Sequence, residues 1–166
     1  MSTEIERKYV ILMPNVEALK KYSDYLSTPI EQTYLLSEEG VTHRVRMRKY
    51  VDRTVYTETK KIRIDKMSSE EMEREITEEE YLSLLKSRDP ERKTVVKTRH
   101  SFSVGGQLFE VDVYPEWERS CILETELESR DTRVRMPEEI RVLLEVTGDR
   151  RFSNAAMAKA FPKELV

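Results

Sequence analysis

From Glu4 to Ser129 the chain keeps returning to a period-two pattern in which an apolar residue alternates with an ionised one. A strand sends successive side chains to opposite faces, so residues two apart share a face and this pattern reads as strand after strand. The segments are Glu4 to Met13, Ile30 to Leu36, His43 to Tyr50, Thr54 to Ile64, Met72 to Ile76, Lys93 to Val104, Gln107 to Tyr114 and Ile122 to Ser129, which makes eight. Gly105-Gly106 is a two-residue hairpin signal and Glu39-Gly40 a turn, so their flanking strands should pair antiparallel. Helical spacing interrupts only briefly. Asn15 can cap a helix carrying Val16, Leu19, Tyr22 and Leu26, and Thr77 with Glu80 forms a capping box before Tyr81, Leu82, Leu84 and Leu85. Pro137 opens a third helix through Ile140, Leu143 and Leu144, and Ser153 or Asn154 caps a C-terminal one through Met157 and Ala160. With four glycines, six prolines, no repeat and no low-complexity run, residues 1–166 read as a single α+β domain dominated by antiparallel strands.

The ionised partners are sorted by sign. Glu4, Glu6 and Lys8 share a face, as do Arg44, Arg46 and Arg48, with Val45 and Met47 opposite. Glu73 with Glu75, Lys97 with Arg99, Glu110 with Asp112, and Glu124 with Glu126 continue the pattern, and Glu58 shares a face with Lys60. One such strand is most plainly the wet face of an antiparallel sheet. Like charges two apart lie only about 7 Å from each other and repel, so an indifferent surface would interleave signs. Segregation across eight strands instead suggests a barrel with apolar faces outward under the helices and charged faces lining a wet lumen. The inward set is then Glu4, Glu6, Glu73, Glu75, Glu110, Asp112, Glu124 and Glu126 against Lys8, Arg44, Arg46, Lys60, Lys97 and Arg99, a net of -2. Two divalent cations would reverse that sign and suit an oligophosphate, which points to phosphoryl transfer.

Composition closes off other classes. Charged residues make up 37% of the chain, against about 25% in an average protein, yet the net charge is only -3. That balance speaks against a polybasic surface for nucleic acid or membrane. No stretch is long and apolar enough to span a bilayer and the first residues carry no basic-then-apolar leader, so a cytoplasmic protein is expected. Cys121 is alone and only His43 and His100 are present, so a bound metal would have oxygen ligands.

An ordered series of motifs runs nearly end to end: Glu4-Ile5-Glu6-Arg7-Lys8, Gln32-Thr33-Tyr34-Leu35, Arg44-Val45-Arg46, Lys60, Glu73-Arg74-Glu75, Lys97-Thr98-Arg99, Glu110-Val111-Asp112, Glu124-Thr125-Glu126, Glu145-Val146-Thr147-Gly148-Asp149 and Phe152-Ser153-Asn154. The series resembles the CYTH superfamily, the triphosphate tunnel metalloenzymes, whose signature is ExExK. The resemblance implies an eight-stranded antiparallel β-barrel tunnel with flanking helices, Mg²⁺ or Mn²⁺ held by carboxylates, and a triphosphate substrate. It implies metal-side roles for Glu4, Glu6, Glu124 and Glu126, with Glu110 and Asp112 adjoining and Glu73 and Glu75 as further tunnel carboxylates. Lys8, Arg44, Arg46, Lys60, Lys97 and Arg99 resemble the triphosphate clamp, and Tyr34 with Lys97 the pair that orients or activates water.

The chain departs from its relatives at Thr33, where glycine is common. Parity sends His43 and His100 outward. Cys121 reads as a buried filler, Trp117 as loop packing, and Arg150-Arg151 and the acidic runs Glu70-Glu71 and Glu78-Glu79-Glu80 as solvated charge. Hydrolysis of inorganic triphosphate is the leading expectation. Class IV-type adenylate cyclisation would need an adenine-recognising surface, thiamine triphosphate hydrolysis an aromatic contact, and a polyphosphate-binding module would dispense with the carboxylates. A small-molecule partner is expected, without nucleic acid or membrane, and a homodimer is compatible with the pattern.

Overall fold

The computed structural model describes residues 2–166. Nine strands form one sheet: β1 (Ser2–Leu12), β2 (Leu26–Tyr34), β3 (Val41–Lys49), β4 (Thr54–Arg63), β5 (Ser68–Ile76), β6 (Val95–Val104), β7 (Gln107–Val113), β8 (Ser120–Glu126) and β9 (Val142–Glu145). Their order is β5-β4-β3-β2-β6-β7-β8-β1-β9, and β5 also pairs with β1, which closes the first eight into a barrel and leaves β9 outside. All pairings are antiparallel. The eleven-residue β1 is the seam: Ser2 to Ile5 pair with β5, Glu6 to Leu12 with β8, and Tyr9 to Ile11 with β9. Gly105 and Gly106, at φ +56 and +83, turn β6 into β7 through the left-handed region that glycine enters without penalty.

Each helix covers a different part of the barrel. α1 (Val16–Leu19), capped by Asn15, puts Leu19 and the following Tyr22 against Phe102, Phe109, Val111 and Leu123 on the outer wall. α2 (Glu78–Leu84) begins with both halves of the Thr77–Glu80 capping box and lays Tyr81 on Leu35, Val45 and Ile76. α3 (Asn154–Lys159), capped by Ser153, packs Met157 and Ala158 against Val10, Tyr34, Val95, Tyr114 and Ile122. Those five lie on the lumen side of their strands, two residues beyond Lys8, Gln32, Lys97, Asp112 and Glu124. The charged lining therefore gives way to apolar core beneath α3. Among the described residues no helix is long and apolar enough to cross a membrane.

Two local expectations are overturned. Pro137 opens no helix through Leu144. The chain makes a tight turn, with Ile140 N–H donating to Pro137 O at 3.1 Å, and then pairs as β9, because β1 beyond its contact with β5 still has a free backbone edge to satisfy. The first helix likewise stops at Leu19, and Leu26 opens β2 opposite Ser101 of β6.

Candidate active site

Residues directly opposite one another in an antiparallel pair share a face, so the register assigns the lumen. On β1, β8 and β7 it places Glu4, Glu6 and Lys8, Glu124 and Glu126, and Glu110 and Asp112 inside. β6 and β2 contribute Lys97, Arg99, Gln32 and Tyr34, and β3 contributes Arg44, Arg46 and Arg48. On β4 and β5 the inner residues are Thr57, Thr59, Lys61, Glu71, Glu73 and Glu75.

Lys60 is therefore corrected to the outer wall. It lies opposite His43 and Met72 and lines a cleft of about 400 Å³ there. The inward cation is Lys61, with Nζ 3.9 Å from Glu4 and 4.0 Å from Glu6. Glu71, read from the sequence as solvated charge, is also inside, 3.9 Å from Arg44.

One wall is cationic and dry. Lys97 Nζ is 2.8 Å from Asp112 Oδ2, with side chains 0% and 1% exposed. Arg99 grips both oxygens of Asp112 at 2.8 and 2.9 Å and reaches Glu110 at 3.0 Å. Burial favours the neutral amine and draws Lys97 down to about 7 despite Asp112. Burial works against ionised Asp112, but Arg99 and Lys97 together hold its carboxyl well below the usual range. Arg46 differs: its Nε donates to Gln32 Oε1 at 3.0 Å, and among the described residues no carboxylate lies within ion-pair distance. Burial and the neighbouring Arg44 and Arg99 guanidiniums disfavour its charge. Gln32 in turn donates to the Tyr34 hydroxyl at 2.9 Å. Arg44 Nε, Arg48 Nε and Thr57 Oγ1, all buried, have no hydrogen-bond partner among the described residues.

The facing wall is acidic. Burial and adjacent Glu71 push the Glu4 carboxyl up to about 8. The charge of Glu124, followed by burial, raises Glu6. Lys8 bridges Glu124 at 3.1 Å and donates to Phe152 O at 3.2 Å, and against the effect of burial it holds Glu124 at about 2. The Glu4–Glu71 and Glu6–Glu124 pairs thus crowd carboxyl groups together, and in each pair the crowding favours the protonated form of one member, Glu4 or Glu6. Such oxygen-only donors suit a hard divalent cation, which would offset that crowding. Among the described residues no three His, Cys, Asp or Glu side chains are already gathered into a ligating cluster. Asp112 and Glu110 are engaged by Arg99, and Glu126 stands opposite Glu6 in register.

Tyr34 and Lys97 both border the apolar end beneath α3. No hydrogen bond joins them among the described residues: Tyr34 meets Gln32, while Lys97 approaches Asn154 Oδ1 at 3.5 Å, which also accepts from Tyr114 at 2.7 Å. Sequence reading gave Lys61, Glu71, Thr57 and Asn154 no part in the site, and it put Arg48 on the face of Arg44 and Arg46 without counting it in the inward set. Lys60-Lys61 and Glu70-Glu71 are doublets whose phase only strand pairing sets. His43 faces out to Glu58 and His100 to Tyr25. Cys121 is buried, Trp117 packs in a loop with its indole N–H on Pro162 O, and Arg151 pairs with Asp149.

No family model matches the chain, and no curated protein does. Solved structures do. The inorganic triphosphatase NE1496 is 28% identical, the match covers 98% of this chain and 99% of that one, and the TM-score is 0.60. PH1819 from Pyrococcus horikoshii OT3 is 20% identical over 77% of this chain and 80% of its own, with a TM-score of 0.58. The Hippeastrum protein HpAC1, a putative adenylyl cyclase described as having a dominant triphosphatase activity, is 18% identical over 76% and 80%, with a TM-score of 0.55. The latter two are likenesses of fold. With the charged motifs lining one closed barrel in their expected order and NE1496 matching end to end, the chain is similar in fold and in sequence to an inorganic triphosphatase, as its resemblance to the CYTH superfamily implies.

Proposed function

We propose that this protein hydrolyses a triphosphate, inorganic triphosphate before others, to pyrophosphate and phosphate with the aid of Mg²⁺ or Mn²⁺. The observation that carries the reading is the uncompensated cationic wall: Arg46 is buried without a carboxylate, beside orphaned Arg44 and Arg48 nitrogens. Buried donors of this kind are costly unless an anion meets them, and a guanidinium fork matches phosphoryl oxygens.

Arg44, Arg46 and Arg99, with Lys8, hold the phosphate chain and stabilise charge that develops on the transferred phosphoryl group. A divalent cation held by Glu4, Glu6, Glu124 and Glu126 would supply Lewis-acid polarisation of a phosphoryl oxygen. Lys97 and Tyr34, at the end of the polar lumen, would orient the attacking water, and Lys97 in its neutral form would take the water's proton. Attack forms one P–O bond as the bridging P–O bond breaks, and pyrophosphate leaves with the bonding pair.

The test is phosphate release from inorganic triphosphate, ATP and thiamine triphosphate with Mg²⁺ or Mn²⁺, reading cyclic AMP in parallel. Fast release from inorganic triphosphate that stops in EDTA is the expected result. Undiminished turnover in EDTA, or cyclic AMP formation outpacing hydrolysis, would overturn it.

A further inference from the structure

The row of arginines on β3 does not end where a three-phosphate clamp needs it to. Arg44, Arg46 and Arg48 stand on one face, each about 6.7 Å along the strand from the last, so the third extends the row toward Lys49. Its surroundings differ from those of its neighbours. Ile30, buried and apolar, lies opposite both Arg48 and Lys97 and separates Arg48 from the Lys97–Asp112 pair. The nearest carboxylate, Glu73, is 3.9 Å away and already accepts from Thr59 at 2.8 Å. Arg48 Nε has no partner among the described residues. On the next strand Thr57, only 4% exposed, stands opposite Arg46 on one side and Glu75 on the other, and its hydroxyl is likewise unpartnered.

A guanidinium N–H and a hydroxyl left without partners on one inner wall call for a group rich in acceptor oxygens. A cation would be repelled by Arg48, and a neutral apolar group would leave both donors unmet. We infer that Arg48 and Thr57 form a further anion subsite that continues the arginine row and takes the fourth phosphoryl group of a linear inorganic polyphosphate. This deepens the proposed triphosphate reading and rests on it: the Arg44–Arg46 region holds three phosphoryl groups, and the Arg48–Thr57 subsite favours a chain one unit longer.

The test is calorimetric binding of inorganic triphosphate and inorganic tetraphosphate, at one fixed free Mg²⁺ concentration, to the wild-type protein and to Thr57→Val and Arg48→Met. A charge-assisted contact predicts that the wild type binds tetraphosphate roughly tenfold more tightly than triphosphate, and that both variants bring this ratio close to one. Thr57→Val keeps the side chain's shape, so it carries the test if Arg48→Met fails to fold. Equal wild-type affinities for the two chains, or a ratio that both variants leave unchanged, would overturn the subsite. Phosphate release from triphosphate, measured on the same preparation, separates the two ideas: if release is seen but the ratio is flat, only the subsite falls. A protein that binds neither chain and releases no phosphate would remove both.

Discussion

Lys97 Nζ and Asp112 Oδ2 meet at 2.8 Å inside the barrel with both side chains closed to solvent, and Arg99 holds the same carboxylate from the other side. One acid therefore serves two buried basic side chains. Asp112→Asn leaves Lys97 without a carboxylate and Arg99 with Glu110 alone, and should lower unfolding free energy by roughly 3 kcal/mol or more. Urea denaturation measures this. A loss under about 1 kcal/mol would mean that the pair does not organise the lumen.

Burial draws Lys97 down to about 7, so in the free protein its amine becomes neutral as pH rises through neutrality. If neutral Lys97 accepts the water's proton, kcat/KM for triphosphate should climb through about pH 7. Lys97→Arg stays protonated and should lose about two orders of magnitude or more together with that limb. An unchanged pH profile in the arginine variant would assign the limb to another group.

Glu4 titrates in the fold near 8, against 4.5 in an unperturbed carboxyl, with burial and then Glu71 as the causes. Between those values the folded chain holds more protons than the unfolded one, so the contribution of Glu4 to stability falls as pH rises. Without divalent cations, the wild type should lose stability between pH 5 and pH 8 relative to Glu4→Gln, and saturating Mg²⁺ should shrink the difference. Parallel stability curves for the two proteins would show that Glu4 is not held in this way. The same variant should lose triphosphatase activity while keeping its circular dichroism.

The register separates two adjacent lysines. Lys61 lies beside Glu4 and Glu6 in the lumen, and Lys60 faces out beside His43 and Met72. Lys61→Ala should reduce kcat/KM at least about tenfold, the scale of one lost charge-assisted contact, and Lys60→Ala should leave it within about twofold. The reverse order would mean that β4 pairs one residue out of the register described.

Gly148 has φ +76, and a Cβ built there would sit 2.7 Å from Lys66 Cβ. Arg63 also donates to Gly148 O at 2.8 Å, so this turn locks the β4–β5 hairpin to the segment leading into α3. Gly148→Ala should cost more than about 1 kcal/mol through both strain and contact, read as a lowered urea midpoint.

Much of this molecule could be read from period-two parity alone. An ionised residue two places from another must share its face wherever the strand goes, so Glu4 with Glu6, Arg44 with Arg46 and Glu124 with Glu126 were assigned before any pairing was known. Sharp local chemistry was equally legible. The Thr77–Glu80 box and Gly105-Gly106 act through their own backbones, and both behave as their residue types require.

What parity could not supply was phase where like residues adjoin. In Lys60-Lys61 and Glu70-Glu71 either residue satisfies the alternation, and only hydrogen bonding to β3 and β4 decides which one turns inward. Nor could local spacing foresee β9. Ile140, Leu143 and Leu144 have the separation of a helical stripe, but the free edge of β1 offers backbone partners, so the chain runs extended there. The sequence by itself determined which charges stand side by side along each strand, because that depends only on neighbouring residues. Tertiary structure alone decided which charges face one another across the lumen, because Glu4 comes beside Glu71 and Lys61 only once β1 meets β5 and the barrel closes.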